Sequence, residues 1–272
     1  MRRILYGCQT YPWKMNQQRY AGNLPHIAQV AAKAGFTGLE AEICMLGDYF
    51  EEPERTRAVL DENGLDLAAL VLHQDWAGAK ETDEEAALSE QAIDFLSGFP
   101  KAKLMVSHHA VPGDRAADAA ALKRRRENLL ACMDSVANRA AERGIVTAFH
   151  PNSSVNSLFR VQQDYEILFD MLSQSSVGYA PDIGHIVNGG MDTLKVLRSA
   201  RSLIRHVHFK DRIAHNEWAV MGEGEIDYPS VINYLEETRY GGWIIVEDES
   251  PLASTDPDSV VRKDGAYMQS HS

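Results

Sequence analysis

Cysteine is scarce in this chain of 272 residues, and its spacing does not suggest a covalent or metal-bound framework. Cys8, Cys44 and Cys132 are odd in number, lie far apart in the sequence and form no Cys-x-x-Cys pair. Disulfide scaffolds and thiolate zinc sites both need paired, closely spaced cysteines. The sequence therefore indicates neither.

Basic residues are also outnumbered, since 27 Lys and Arg stand against 39 Asp and Glu, and the formal net charge is −12. An acidic chain repels a phosphate backbone unless its basic side chains are clustered. The one basic run, residues 123–126, falls inside a predicted helix, where a solvated face is the usual meaning. We therefore expect no nucleic-acid partner.

Long apolar runs are missing as well. No stretch approaches the roughly 18 uninterrupted apolar residues that a membrane-spanning helix requires, and the apolar run near the first residue is too short for a signal peptide. The sequence predicts a cytoplasmic protein with no membrane partner.

Short β-rich apolar runs do occur, and they alternate with amphipathic segments from one end of the chain to the other. Several of the runs are apolar at consecutive positions, as expected for parallel strands covered on both faces. No Gly-x-Gly-x-x-Gly follows the first run, which argues against a doubly wound dinucleotide-binding sheet. The pattern predicts an α/β fold, a (β/α)8 TIM barrel of roughly 250 residues, as a single domain over residues 1–272. The predicted strands cover residues 4–10, 38–43, 67–73, 103–109, 145–150, 178–182, 204–210 and 243–247.

Helical periodicity and end signals fill the intervals between these strands. Thr82 and Glu85 have the spacing of a capping box, and Gly35 has the position of a glycine that ends a helix. The one long irregular connection, residues 211–227, is typical of an active-site lid. The predicted helices cover residues 23–34, 82–96, 116–143, 164–174, 192–199, 229–238 and 256–268.

Polar residues collect at the ends of the predicted strands. Active sites of such barrels lie at the carboxyl ends of the strands. Apolar strands that finish in His, Asp or Glu have no packing reason to do so, because a buried charge costs several kcal/mol unless it is paired or bound to a metal. The most orderly set is His150, Asp182, His208 and Glu247, one from each of the last four strands.

Successive members of this set are separated by about one βα unit, so a barrel would bring them to one point. Each residue alone has an ordinary alternative role; Asp182 would cap the next turn, for example, and Glu247 would join a surface ion pair. The convergence of all four instead favours a metal site. Mixed imidazole and carboxylate ligands suit transition metals better than Mg²⁺ or Ca²⁺. We expect Mn²⁺ first, with Co²⁺, Zn²⁺ and Fe²⁺ as alternatives.

Five segments of the sequence carry a family resemblance: AAKAGFTGLEAE at 31–42, DIGH at 182–185, HVHFKD at 206–211, GEGEID at 222–227 and GGWIIVEDE at 241–249. In this order they resemble the sugar phosphate isomerase/epimerase superfamily, the xylose isomerase-like barrels that include inosose dehydratases and ketose 3-epimerases. The ordered set is specific for the fold and for the metal site, and it says little about the substrate. The resemblance implies that Asp182, His208 and Glu247 are metal ligands.

The fifth strand departs from the epimerase pattern, because His150 stands where ketose epimerases place a glutamate. In those enzymes, glutamates of strands five and eight act on opposite faces of an enediolate. The loss of one carboxylate favours asymmetric chemistry: a lyase or dehydratase, inosose dehydratase-like or cleaving a keto-glycoside by elimination. The alternatives are a ketose or aldose isomerase or epimerase acting through a metal-bound enediolate, and a non-catalytic sugar-binding subunit.

The resemblance also suggests catalytic roles for His150, His185, Lys210 and Glu247. His150 either completes the metal site or acts as the base, since an imidazole serves as a base near neutral pH. His185 would bind a substrate hydroxyl or move a proton. Lys210 would polarise a substrate oxygen, with an ion pair to Asp211 or Glu247 as the alternative.

The remaining polar strand ends would line the wall of the site opposite the metal ligands. Trp13, Trp76 and Trp218 would stack on the substrate, although packing is an equally ordinary role for them. His206 is interpreted as an ordinary structural histidine. The expected partner is a small sugar or cyclitol, and a homo-oligomer is left open. The predicted substrate-binding residues are Glu40, Glu42, His73, His108, Trp13 and Trp218.

Overall fold

The computed structural model describes residues 3–108, 110, 112–115, 118–213 and 217–271. Eight parallel strands occupy the predicted positions in it, and a short antiparallel pair is added to them. Residue 109, at the end of the fourth predicted strand, lies outside the described residues. The strands are β1 Ile4–Gln9, β2 Gly38–Glu42, β3 Asp66–Gln74, β4 Lys103–His108, β5 Thr147–Phe149, β6 Gly178–Tyr179, β7 Val207–Phe209, β8 Asp211–Ile213, β9 Glu217–Ala219 and β10 Gly242–Val246.

Helices fill the intervals between the strands, and none of the described helices is long and apolar enough to cross a membrane. The sequence pattern missed the helix at Pro53–Glu62, where only Thr56 and Leu60 are buried. The helices are α1 Tyr11–Lys14, α2 Gln17–Tyr20, α3 Leu24–Lys33, α4 Ile43–Leu46, α5 Pro53–Glu62, α6 Asp83–Ser97, α7 Ala119–Glu142, α8 Gln162–Leu172, α9 Ile183–Asn188, α10 Thr193–Ser199, α11 Tyr228–Glu237 and α12 Pro257–Ser270.

The described chain divides into two compact units. The first comprises Met1–Leu70 and His206–Ser272, and the second comprises Val71–Arg205. Strand β3 runs across the point of division. The single domain over residues 1–272 stays a prediction.

The first unit has the strand order β3-β2-β1-β10-β7. The register pairs Gly7 with both Gly38 and Ile245, and pairs Ile245 with His208. Gly38 is required because a Cβ there would lie 2.5 Å from the ring of Trp243. Parallel pairing brings the carboxyl ends of β2, β10 and β7 to the same edge, where their polar residues lie.

The second unit has the strand order β6-β5-β4-β3, with Leu104 opposite Thr147 and Phe149 opposite Tyr179. Helix α6 begins with the predicted capping box: Thr82 accepts the N–H of Glu85, and the Glu85 carboxylate accepts the N–H of Thr82. This reciprocal pairing satisfies two N–H groups that a helix start leaves open.

The predicted long loop, 211–227, is more ordered than expected. It contains the antiparallel pair β8 and β9, which are too short to show a pattern in the sequence, and residues 214–216 between them lie outside the described residues. The Asp211 carboxylate accepts N–H groups of Gly222 and Gly224 at 3.0 and 3.1 Å. A Cβ at Gly224 would lie 2.1 Å from Asp211 Oδ1, so the glycine permits this close approach.

Candidate active site

Two histidines of the first unit share one glutamate. His206 and His208 are two residues apart on an extended segment, which places both side chains on the same face. His206 Nε2 lies 2.8 Å from Glu40 Oε2, and His208 Nε2 lies 3.1 Å from Glu40 Oε1. All three side chains are buried. The other nitrogen of His208, Nδ1, lies 2.8 Å from Glu247 Oε2.

These contacts change the acidity of the groups that they join. Burial by itself lowers the pKa of His208, but the carboxylates of Glu40 and Glu247 outweigh it and raise that pKa to about 10. Burial by itself raises the pKa of Glu40, but His208 and His206 outweigh it and lower that pKa to about 2. The two strands therefore hold complementary charges in a buried position.

Lys210 extends this group of charges. Its ammonium nitrogen donates to Glu247 Oε1 at 3.0 Å and to Glu249 Oε1 at 2.6 Å. The same nitrogen lies 5.8 Å from the ring centroid of Tyr11 and 5.2 Å from that of Trp218. Lys210 is 1% exposed. The ion pair with Glu247, which was the alternative role from the sequence, is present. We name Glu40, His206, His208, Lys210 and Glu247 the first-unit cluster.

The second unit holds a separate group of polar side chains around Asp182. Asp182 caps helix α9, and its Oδ1 accepts the N–H of His185 at 2.8 Å. His150 follows β5, and its Nε2 lies 3.5 Å from Asp182 Oδ2. The rings of His150 and His185 meet edge to face, with centroids 5.7 Å apart. All three side chains are buried.

Neutral partners fix His185 in this position. Its Nδ1 lies 2.8 Å from the hydroxyl of Ser153, and that hydroxyl accepts from the side-chain amide of Asn188 at 2.8 Å. Its other nitrogen, Nε2, lies 3.9 Å from Asp182 Oδ2. We name His150, Ser153, Asp182, His185 and Asn188 the second-unit cluster.

The other predicted substrate-binding residues have separate surroundings. Glu42 is buried and forms an ion pair with Lys14 at 3.0 Å. Burial raises the pKa of Glu42, and Lys14 opposes that rise. Trp13 is fully buried and its indole N–H donates to Asp258 at 2.8 Å, so the alternative role in packing accounts for its place in the structure.

The two predicted histidines of the second unit also differ in burial. His108 is buried, and its Nε2 lies 3.5 Å from Asp114 Oδ2. His73 is half-buried near the end of β3. The substrate-binding roles of all six residues stay predictions.

His206 was interpreted from the sequence as an ordinary structural histidine, and its contact with Glu40 in the first-unit cluster agrees with that role. The spacing of two residues to His208 was the available signal, because alternate residues of a strand share a face. Ser153 and Asn188 carried no comparable signal, since they lie on a loop and at the end of a short helix.

The donors present fit a divalent transition metal. Ligand atoms of Glu40, His206 and His208 all lie within 4.8 Å of one another and could hold an ion. Buried imidazole nitrogens and carboxylate oxygens are what such ions prefer. The donor chemistry therefore supports a divalent metal as a cofactor, without selecting among metals.

Comparison with known proteins gives the family. The sequence model of the xylose isomerase-like TIM barrel family matches residues 28–271. An inosose dehydratase of Lacticaseibacillus casei is 28% identical over 162 residues, with coverage of 52% of this chain and 53% of that protein. The match therefore spans about half the length of this relative.

Other similarities extend over more of the chain. An inosose dehydratase of Clostridium perfringens is 23% identical over 267 residues, covering 88% of this chain and 86% of that protein. A crystal structure described as the IOLI protein with a binding zinc atom superposes with a TM-score of 0.77 at 11% identity, covering 98% of this chain and 97% of that one. The predicted fold class and superfamily are confirmed, and the chain belongs to the xylose isomerase-like TIM barrel family.

Proposed function

We propose that the chain is a divalent-metal-dependent enzyme that dehydrates a keto-sugar or keto-cyclitol. One observation carries the proposal. Each unit holds a buried imidazole beside a buried carboxylate at strand ends, His150 with Asp182 and His208 with Glu247. Apolar strands gain nothing in packing from such residues. The inosose dehydratase relatives support the same reaction class.

His150, Asp182, His208 and Glu247 are the proposed metal ligands, as expected from the sequence. Each is buried and offers an imidazole nitrogen or a carboxylate oxygen. A bound divalent ion would polarise the substrate carbonyl and so acidify the neighbouring C–H bond. Mn²⁺ is our first choice among the transition metals that suit these donors.

The side chains divide the proton transfers of a dehydration between them. A base removes the proton from the carbon beside the carbonyl, and the electron pair of that bond forms a C=C bond as the β-hydroxyl leaves. The hydroxyl takes up one proton and departs as water, so the net change is loss of one water molecule. We assign the base to His150 or, where His150 binds the ion, to the carboxylate of Glu247.

His185 and Lys210 are assigned to the two oxygens of the substrate. Because Nδ1 of His185 is held by Ser153, Nε2 is the atom that would protonate the leaving hydroxyl. The ammonium group of Lys210 would stabilise negative charge that develops on the carbonyl oxygen. Its contacts with Glu247 and Glu249 hold it in place.

The reaction class is tested by incubating keto-cyclitols and keto-sugars with the metal-supplemented protein in D₂O and following them by NMR. We expect loss of one hydroxyl and appearance of an unsaturated ketone. Deuterium incorporation with the hydroxyl count unchanged would contradict dehydration and favour the isomerase or epimerase alternative. No conversion of any keto-cyclitol or keto-sugar would favour a non-catalytic sugar-binding subunit.

The His150→Asn variant distinguishes the two roles proposed for His150, which are catalytic base and metal ligand. If His150→Asn keeps the metal and loses activity, the imidazole is the base. If metal and activity are lost together, it is a ligand. Asp170→Asn, on an exposed position of α8, serves as the matched control and should change neither quantity.

A further inference from the structure

We propose that Glu40 is a positioning residue that fixes the ring of His208, so that Nε2 carries a proton and Nδ1 is the nitrogen presented to the metal beside Glu247. This rests on the proposed function, because His208 is one of the proposed ligands. It also gives a different role to Glu40, which the sequence placed on the substrate-binding wall.

The direction of the hydrogen bonds follows from the chemistry of a carboxylate. An ionised carboxylate has only acceptor atoms, so any imidazole nitrogen bonded to it must carry a hydrogen. His208 Nε2 lies 3.1 Å from Glu40 Oε1 and 3.2 Å from Oε2. By the same rule Nδ1 of metal-free His208 carries a hydrogen, because it lies 2.8 Å from Glu247 Oε2. A metal ion bound beside Glu247 would replace that hydrogen, whereas the hydrogen on Nε2 would stay hydrogen-bonded to Glu40.

The position of Nδ1 agrees with this assignment. It lies 2.8 Å from Glu247 Oε2, so the nitrogen and a carboxylate oxygen of two proposed ligands are neighbours. Metal-bound histidines commonly donate their other N–H to a carboxylate, which fixes the ring orientation and the basicity of the ligand. Glu40 is the carboxylate in the required place.

His206 in turn holds Glu40. Its Nε2 lies 2.8 Å from Glu40 Oε2, and both side chains are fully buried. The carboxylate is therefore fixed from a second side and cannot rotate away from His208 without losing this bond. This explains why two histidines lie on one face of the β7 segment although only one is a proposed ligand.

The test compares metal affinity in two glutamate variants. Glu40→Gln should weaken Zn²⁺ and Mn²⁺ binding by about 10- to 100-fold, as loss of such outer partners typically does. Glu62→Gln, at an exposed position of α5, is the control, and its dissociation constant should stay within about twofold of the wild-type value. Unchanged affinity in Glu40→Gln, with the far-UV circular dichroism of the wild type, would overturn the proposal.

A second measurement uses the wild type and does not depend on the folding of a variant. In ¹⁵N-labelled protein, with signals assigned by loss in His208→Gln, Nε2 of His208 should carry a slowly exchanging proton with and without Zn²⁺. With Zn²⁺ bound, Nδ1 should show the shift of a metal-bound nitrogen. A metal-bound Nε2, or an Nε2 without a proton, would overturn the proposal.

The two measurements also separate this inference from the proposed function. If the wild type binds no divalent ion, the metal-dependent function fails. The positioning role of Glu40 is then tested in the metal-free protein by the exchange rate of the hydrogen on His208 Nε2. Faster exchange in Glu40→Gln supports the positioning role, and an unchanged exchange rate overturns it.

Discussion

Both clusters contain a buried imidazole beside a buried carboxylate, but the other contacts that hold them differ. The first-unit cluster has several charged contacts, such as Lys210 with Glu247 at 3.0 Å and His208 with Glu247 at 2.8 Å. In the second-unit cluster His150 lies 3.5 Å from Asp182, and His185 is held by the hydroxyl of Ser153 and by a helix cap at Asp182. The first cluster should therefore be the more sensitive to loss of one partner.

The physical reason is the cost of a buried charge. When one member of a buried ion pair is removed, the remaining charge is left without compensation, at about 3 to 5 kcal/mol. When one member of a neutral hydrogen bond is removed, the cost is about 1 to 3 kcal/mol for the unsatisfied group. Charged contacts fix position more firmly and tolerate substitution less.

The largest expected effect is therefore in the first cluster. Lys210→Met should lower the free energy of unfolding by about 3 to 5 kcal/mol, because the buried carboxylate of Glu247 and the half-buried carboxylate of Glu249 lose their shared cation. Urea denaturation measures this. Lys195→Met, at an exposed position of α10, should change it by less than about 0.5 kcal/mol. Equal effects of the two variants would contradict the expected cost of leaving buried carboxylates without their cation.

A charged contact within the second unit separates the effect of charge from the effect of location. Asp164 accepts from Arg115 at 2.6 Å, from Arg126, and from the backbone N–H groups of Arg160 and Val161. Burial raises the pKa of Asp164, but Arg115 and the two N–H groups outweigh it, and the pKa is lowered. Asp164→Asn should therefore cost about 2 to 3 kcal/mol near neutral pH.

The pH dependence of this cost has a definite sign. A carboxyl whose pKa is lower in the folded state stabilises the protein above the unfolded-state pKa near 3.9, and this contribution is lost as pH falls through the folded-state pKa. The stability difference between wild type and Asp164→Asn should thus be full at pH 6 and shrink below about pH 4. Asp170→Asn, on an exposed position, is the control. A difference that is constant from pH 6 to pH 3 would refute the ionic explanation.

The smallest effect is expected for the neutral partner in the second cluster. Ser153→Ala removes the hydroxyl between His185 and Asn188 and should lower the free energy of unfolding by about 1 to 2 kcal/mol. Ser154→Ala, exposed and adjacent, should change it by less than about 0.5 kcal/mol. A loss in Ser153→Ala as large as that in Lys210→Met would reverse the ranking of the two clusters.

The strands and the identity of the polar strand ends could be predicted from the sequence, because both depend on local pattern. Consecutive apolar residues ending in polar ones marked β7 and β10, and the capping box at Thr82 marked the start of α6. These signals need only neighbours along the chain.

The partners of those polar residues could not be predicted in the same way. The contact of Glu40 with His206 joins positions 166 residues apart, and which atoms meet depends on strand register. The hydroxyl of Ser153 lies on a loop without periodicity, and its contact with His185 depends on the course of that loop. Register and loop geometry are set by packing of the whole chain, which a local pattern does not contain.

Our central proposal is that the protein binds one divalent transition-metal ion and that Asp182 and His208 are among its ligands. Metal content by mass spectrometry, with calorimetric titration, tests it most directly in the wild type, Asp182→Asn and His208→Ala. Asparagine is also a good N-cap residue, so the first variant should keep the cap of α9. We expect about one transition-metal ion per chain in the wild type and none in either variant; full metal occupancy in either variant would contradict the claim.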